Sequence, residues 1–164
     1  MNGFVAMGLA VAIGWSATSA RAASDWEDDF GQASELAKKE GKYMLVDFSG
    51  SDWCGWCIKL DNEVFQKKAF KDYAKENLVL TLVDFPRNRP LSKKDKVRND
   101  ALAKKHGVRG FPTVLVLSPD GVVVGKTGYQ PGGPEAYVKH IQEFVDAHKA
   151  KGGNAGAAKT TAGK

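Results

Sequence analysis

Cys54 and Cys57 are the two cysteines of this 164-residue chain, with two residues between them. That spacing can close a small disulfide, supply half of a metal site or attach a haem, and each alternative makes its own demand on the rest of the sequence. A structural zinc site needs four ligands, and His106, His140 and His148 lack the paired spacing that would complete one. Covalent haem needs histidine directly after the second cysteine, and position 58 is Ile. No metal and no cofactor are therefore expected. A purely structural disulfide over so short a loop would constrain the unfolded chain little. Thiol–disulfide exchange is the leading reading, and two rivals stay beside it: a carrier that holds Cu(I) between the two soft thiolates, and an interaction domain in which the cysteines are incidental. Met44 is the only thioether after the N-terminal segment, which weighs against the carrier.

The elements on either side position the pair. Tyr43 to Phe48 is a short apolar run of strand type, and Ile58 to Phe65 has helical character. The cysteines thus fall where a strand ends and a helix begins. A cysteine in the first helical turn faces unsatisfied N–H groups and the positive end of the helix dipole, which stabilise its thiolate. Cys54 takes that place and is expected to attack a substrate disulfide, with Cys57 one turn inward resolving the mixed disulfide. Run backwards, the same steps oxidise a dithiol. Trp53 shields the pair or simply packs.

Along the rest of the chain, Ser24-Asp25-Trp26-Glu27 reads as a capping box that opens a helix carrying Trp26, Phe30, Ala33 and Ala37 on one face and ending at Gly41. The helix from Cys57 is expected to reach about Asn77, with a break near Gln66 to Ala69. Leu78 to Val83 is continuously apolar, the mark of a strand covered on both faces. Phe85 to Arg98 reads as a loop running into a helix over Ser92 to His106. Its Arg87, Arg89, Lys93, Lys94 and Lys96 form either a solvated face or a surface for an acidic partner. Val114 to Leu117, a Ser118-Pro119-Asp120-Gly121 turn and Val122 to Val124 make an antiparallel hairpin. Pro134 starts a last helix with Tyr137, Ile141, Phe144, Val145 and His148 on one face.

The formal charge of +5 does not make a nucleic-acid protein. Arg21, Lys151, Lys159 and Lys164 lie in the two end segments, and without those four the remaining 20 basic residues face 19 acidic ones. Residues 3 to 20 are almost all apolar or small, and Ala20-Arg21-Ala22 offers a small-x-small cleavage site. The expected organisation is an export signal over 1–22, one domain over 23–150 and a disordered Gly/Ala/Lys tail over 151–164. A retained N-terminal anchor is the alternative to cleavage. Export would place the cysteines in a periplasmic or extracellular, disulfide-permissive compartment.

Taken together, Leu45-Val46-Asp47-Phe48, then Trp53-Cys54-Gly55-Trp56-Cys57, then Gly110-Phe111-Pro112-Thr113 resemble, in order, the landmarks of the thioredoxin superfamily. The resemblance spans most of residues 25 to 150. It implies a thioredoxin fold, a central mixed β-sheet flanked by helices on both faces, with the cysteines at the carboxyl end of the strand 43–48. It also implies that Pro112 is a cis-proline packing beside the cysteines and that Asp47 is a buried acid helping Cys57 lose its proton. Three departures stand out: Trp56 replaces the proline of thioredoxin, Asp47 lies seven residues before Cys54 rather than six, and the 85–100 segment is longer. The expected activity is exchange with protein disulfide or dithiol substrates, as a reductase, by a monomer fed with electrons from a membrane donor.

Overall fold

The computed structural model describes residues 26–152. Five strands form one sheet: β1 (Trp26–Glu27), β2 (Tyr43–Ser49), β3 (Leu78–Asp84), β4 (Thr113–Leu117) and β5 (Val123–Thr127), in the spatial order β1-β3-β2-β4-β5. β3 runs parallel to β1 and β2, whereas β4 runs antiparallel to β2 and β5. The helices are α1 (Phe30–Glu40), α2 (Gly55–Leu60), α3 (Lys68–Asn77), α4 (Lys93–Lys105) and α5 (Gly133–Ala150). A single π-helical turn, Asp61–Phe65, continues α2, and the chain then breaks before α3. The break falls at Gln66 and Lys67, where the drift in apolar register placed it.

β2 is central and every residue of it is buried. Because side chains alternate across a sheet, it feeds two cores. Tyr43 and Leu45 face the layer of Leu60, Val64, Phe70 and Tyr137, while Met44, Val46 and Phe48 face Ala33, Ala37 and Leu117. Asp47 has the parity of Tyr43 and Leu45, so its carboxyl lies on the α2 side of the sheet.

The N-terminal expectation needs correcting. Trp26 and Glu27 form the edge strand β1, pairing with Leu80 and Thr81, and the helix starts later, at Phe30. Its cap is Asp29, whose carboxylate accepts from the N–H groups of Gly31 and Gln32 at 2.8 and 3.0 Å. Trp26 packs on Phe65 with ring centroids 5.0 Å apart. Tertiary pairing of the aromatic residue with β3 outweighs the local capping signal. Ser24, like the expected export signal and nearly all of the tail, lies outside the described residues. The second hairpin strand also shifts, running over Val123–Thr127 and not over Val122 to Val124.

Candidate active site

Ser49 ends β2, and the chain turns through Gly50 to reach α2. The N–H groups of Trp53 and Cys54 both donate to the Gly50 carbonyl, at 3.2 and 2.8 Å. Cys54 caps α2, and the N–H of Cys57 donates to Cys54 Sγ at 3.3 Å. The two cysteines are joined as a disulfide with Cα atoms 5.2 Å apart. Cys54 is 7% exposed and Cys57 3%, so the helix turns the second sulfur toward the core.

Trp53 folds back over the turn. Its indole N–H donates to the Phe85 carbonyl at 2.7 Å, its ring meets Phe111 edge-on at 6.0 Å, and the Arg87 guanidinium lies 3.6 Å over it. Gly50 makes this possible, since a Cβ there would sit 2.5 Å from the Trp53 ring. Asp52 ties the same turn to the segment after β3, accepting from the N–H groups of Arg87 and Asn88 at 2.9 and 2.8 Å. Asp84 accepts from the Ser51 N–H and hydroxyl and pairs with Arg89. Lys96 pairs with Asp100, and Arg98 with Asp29 and Asp95. Within the basic segment Arg89 and Lys96 are thus paired with acids, whereas Arg87 stacks on Trp53 and Lys93 and Lys94 make no ion pair among the described residues.

The Phe111–Pro112 peptide bond is cis. The next residue, Thr113, pairs with Phe48 at the carboxyl end of β2, and its hydroxyl donates to the Gly110 carbonyl at 2.7 Å. Register thus carries the Pro112 loop to the end of the sheet from which the cysteine turn leaves. Gly128 backs that loop: a Cβ on it would come 2.9 Å from the Pro112 carbonyl oxygen, and Tyr137 of α5 bonds the Gly128 carbonyl at 3.0 Å.

Behind Cys57 lies a cleft of about 400 Å³ lined by Asp47, Cys57, Asp28, Asp61 and Ser49, among others. Asp47 Oδ1 is buried and has no hydrogen-bond partner among the described residues. Burial first, then the charges of Asp61 and Asp84, push the Asp47 carboxyl up to about 8, with hydrogen bonding from Ser49 acting the other way. Asp47 lies seven residues before Cys54, and Asp47 and Cys57 line one cleft.

The model of the thioredoxin-like domain family matches residues 30–144. The chain belongs to the thioredoxin-like family. It is 33% identical over 120 residues to a disulfide bond reductase, DsbH, of Chlamydia pneumoniae, a match that covers 73% of this chain and 72% of that protein. The solved structure of a DsbH oxidoreductase superposes with a TM-score of 0.71 at 30% identity, covering 84% of this chain and 95% of that one. A thioredoxin from Thermus thermophilus shares the fold, with a TM-score of 0.58 at 18% identity over 81% of this chain and 96% of that one. Family membership and the Cys54–Cys57 disulfide make this thioredoxin-like chain a thiol–disulfide oxidoreductase acting on disulfide substrates.

Trp56, between the two cysteines, lies at the surface. It is 58% exposed, and its ring lies 5.1 Å from Tyr129, with Lys59 Nζ 5.2 and 5.1 Å from the two ring centres. Tyr129 donates to Glu63 at 2.7 Å. Gly50, Asp52, Asp84, Arg87, Gly128 and Tyr129 were not singled out as site residues by sequence spacing, except that Arg87 was counted among the basic residues. Their partners lie far away along the chain; the one local signal was Gly50 four residues before Cys54.

Proposed function

We propose that this protein is a reductase of protein disulfides in an exported compartment, with Cys54 as attacking and Cys57 as resolving thiolate. The observation that carries the division of labour is the N–H of Cys57 directed at Cys54 Sγ, on the slightly less buried of the two cysteines, at the start of α2. A donor already aimed at that sulfur stabilises negative charge on it when the pair is reduced. In the forward reaction the Cys54 thiolate forms a bond to one substrate sulfur and the substrate disulfide breaks, releasing one substrate thiolate. Cys57 then bonds to Cys54, the mixed disulfide breaks, and the second substrate thiolate leaves. Two electrons pass from the protein dithiol to the substrate, and the Cys54–Cys57 disulfide remains.

Asp47 is the proposed acceptor of the Cys57 proton. A carboxyl held near 8 is close to the ordinary thiol value of about 8.5, so transfer to the ionised form of Asp47 is nearly balanced, and that form grows as pH rises toward 8. Phe111, Pro112 and Thr113 present the edge beside which substrate docks, and Trp53, Gly55 and Trp56 shape the mouth. The apolar run over 3–20 supports export of the 23–150 domain. Among the described residues no helix is long and apolar enough to cross a membrane. The proposed source of electrons is a membrane donor. The reductase is proposed to act as a monomer.

Redox titration of the couple tests the direction. A potential near −270 mV is expected for a reductase, while one toward −120 mV would assign oxidation instead. Cys54→Ser is expected to abolish reduction of insulin, and Cys57→Ser to accumulate a mixed disulfide visible by mass spectrometry. Turnover surviving Cys54→Ser would remove the pair from the reaction, and stoichiometric Cu(I) uptake without turnover would favour a metal carrier.

A further inference from the structure

The surroundings of the disulfide are electrically two-sided. On the α2 side, the cleft behind Cys57 holds Asp28, Asp47 and Asp61. On the Pro112 side, a second cleft of about 590 Å³ is lined by Arg109, Phe111, Pro112, Thr113, Lys126 and His106, with no carboxylate in its lining. Lys126 Nζ donates to the carbonyls of His106 and Gly107, at 3.4 and 3.1 Å, which orient the ammonium without neutralising it. Arg109 is exposed and makes no hydrogen bond or ion pair among the described residues. The rim continues past Phe111 to Trp53 and the Arg87 guanidinium stacked on it. Asp52 accepts from the backbone N–H groups of Arg87 and Asn88 and makes no ion pair with the Arg87 guanidinium. Other cations nearby, Arg89, Lys96 and Arg98, are each matched by an acid. Arg109 and Lys126 therefore stand at the Pro112 cleft without an ion pair among the described residues.

We propose that this rim selects acidic polypeptide segments, so that Arg87, Arg109 and Lys126 receive Asp or Glu residues flanking the cysteine of a substrate disulfide. This names a substrate class for the reductase reading and rests on it. Exposed rim charges of one sign raise encounter rates with oppositely charged partners, an effect that salt removes. Arg109 is the member whose charge is free of any structural duty, so it is the informative position to change.

Three short peptides test the proposal, each with one cysteine in a mixed disulfide with 2-mercaptoethanol and flanked by Asp, Ser or Lys. Pre-reduced full-length protein is mixed with each under single-turnover conditions. Every rate is divided by that of dithiothreitol with the same peptide, which removes differences in intrinsic disulfide reactivity. The expected ratio of acidic to basic peptide is about tenfold at low ionic strength, falling to about one- to twofold near 1 M salt. Arg109→Glu should lower the low-salt ratio at least about threefold, with Arg109→Gln between it and wild type. A wild-type ratio within about twofold at low salt, or one that Arg109→Glu leaves unchanged, overturns the acidic-substrate proposal. If the Ser peptide is reduced without any ranking by charge, that proposal alone fails. If no peptide is reduced, the reductase reading fails with it.

Discussion

Asp47 shows how one residue is set by its position in a strand. Four residues after Tyr43, it shares that residue's face of β2 and so is buried under α2, where its Oδ1 finds no partner among the described residues. Its carboxyl titrates at about 8 in the fold against 3.8 as the ordinary value. The folded state therefore holds a proton that the unfolded chain loses first. Its stabilising contribution is complete below about pH 3.8, declines as pH rises and is lost once pH passes about 8. Asp47→Asn keeps the shape and cannot ionise, so it should stabilise the protein by about 1–4 kcal/mol at pH 7, with little effect below pH 4. Urea denaturation at several pH values measures this; a variant less stable than wild type at pH 7 would contradict the burial argument. The same substitution should slow resolution by Cys57 in single turnover.

At the scale of elements, the turn between β2 and α2 depends on the segment after β3. Trp53 is seated by Phe85, Phe111 and Arg87, and Asp52 is seated by the backbone of Arg87 and Asn88. Gly50→Ala would drive a methyl group into the Trp53 indole. Overpacking of this kind costs about 1–3 kcal/mol, and displacement of the indole should change the tryptophan emission spectrum. Chemical denaturation with parallel fluorescence checks both, and an unperturbed spectrum at full stability would mean that the turn accommodates the methyl freely. The strand, the turn and the helix start were legible from residue types, because apolar runs and a CxxC spacing are local signals. The tie between Asp52 and the segment after β3 was not, because Asp52 and Asn88 are 36 positions apart. Nothing in the run of Pro and Arg residues shows which of them will meet the turn. The edge strand β1 was hidden for a related reason: two residues carry no periodicity, and only pairing with Leu80 and Thr81 makes them a strand.

At the scale of the whole molecule, a single sheet joins two cores, and β2 supplies side chains to both. Leu45 and Val46 are neighbours in sequence and face opposite cores. If the sheet couples them, truncating either should lower the stability of the same transition. Leu45→Ala should cost about 2–5 kcal/mol and Val46→Ala somewhat less. Circular dichroism and tryptophan fluorescence should then report coincident unfolding for both variants; separate midpoints would mean that the two faces unfold independently.

The sequence by itself determined the superfamily, the strand-to-helix placement of Cys54 and Cys57, and the order of most elements, since each rests on spacing within a few residues. It also placed the break between α2 and α3, where the apolar register slips. Tertiary structure alone decided what surrounds the sulfurs. Bringing β3, β4 and β5 alongside β2 set an acidic cleft behind Cys57 and an unneutralised cationic strip beside Pro112. Those two environments are sums of charge over residues that span nearly a hundred positions, from Asp28 to Lys126, and a sum of that kind exists only once the sheet has closed the distances between them.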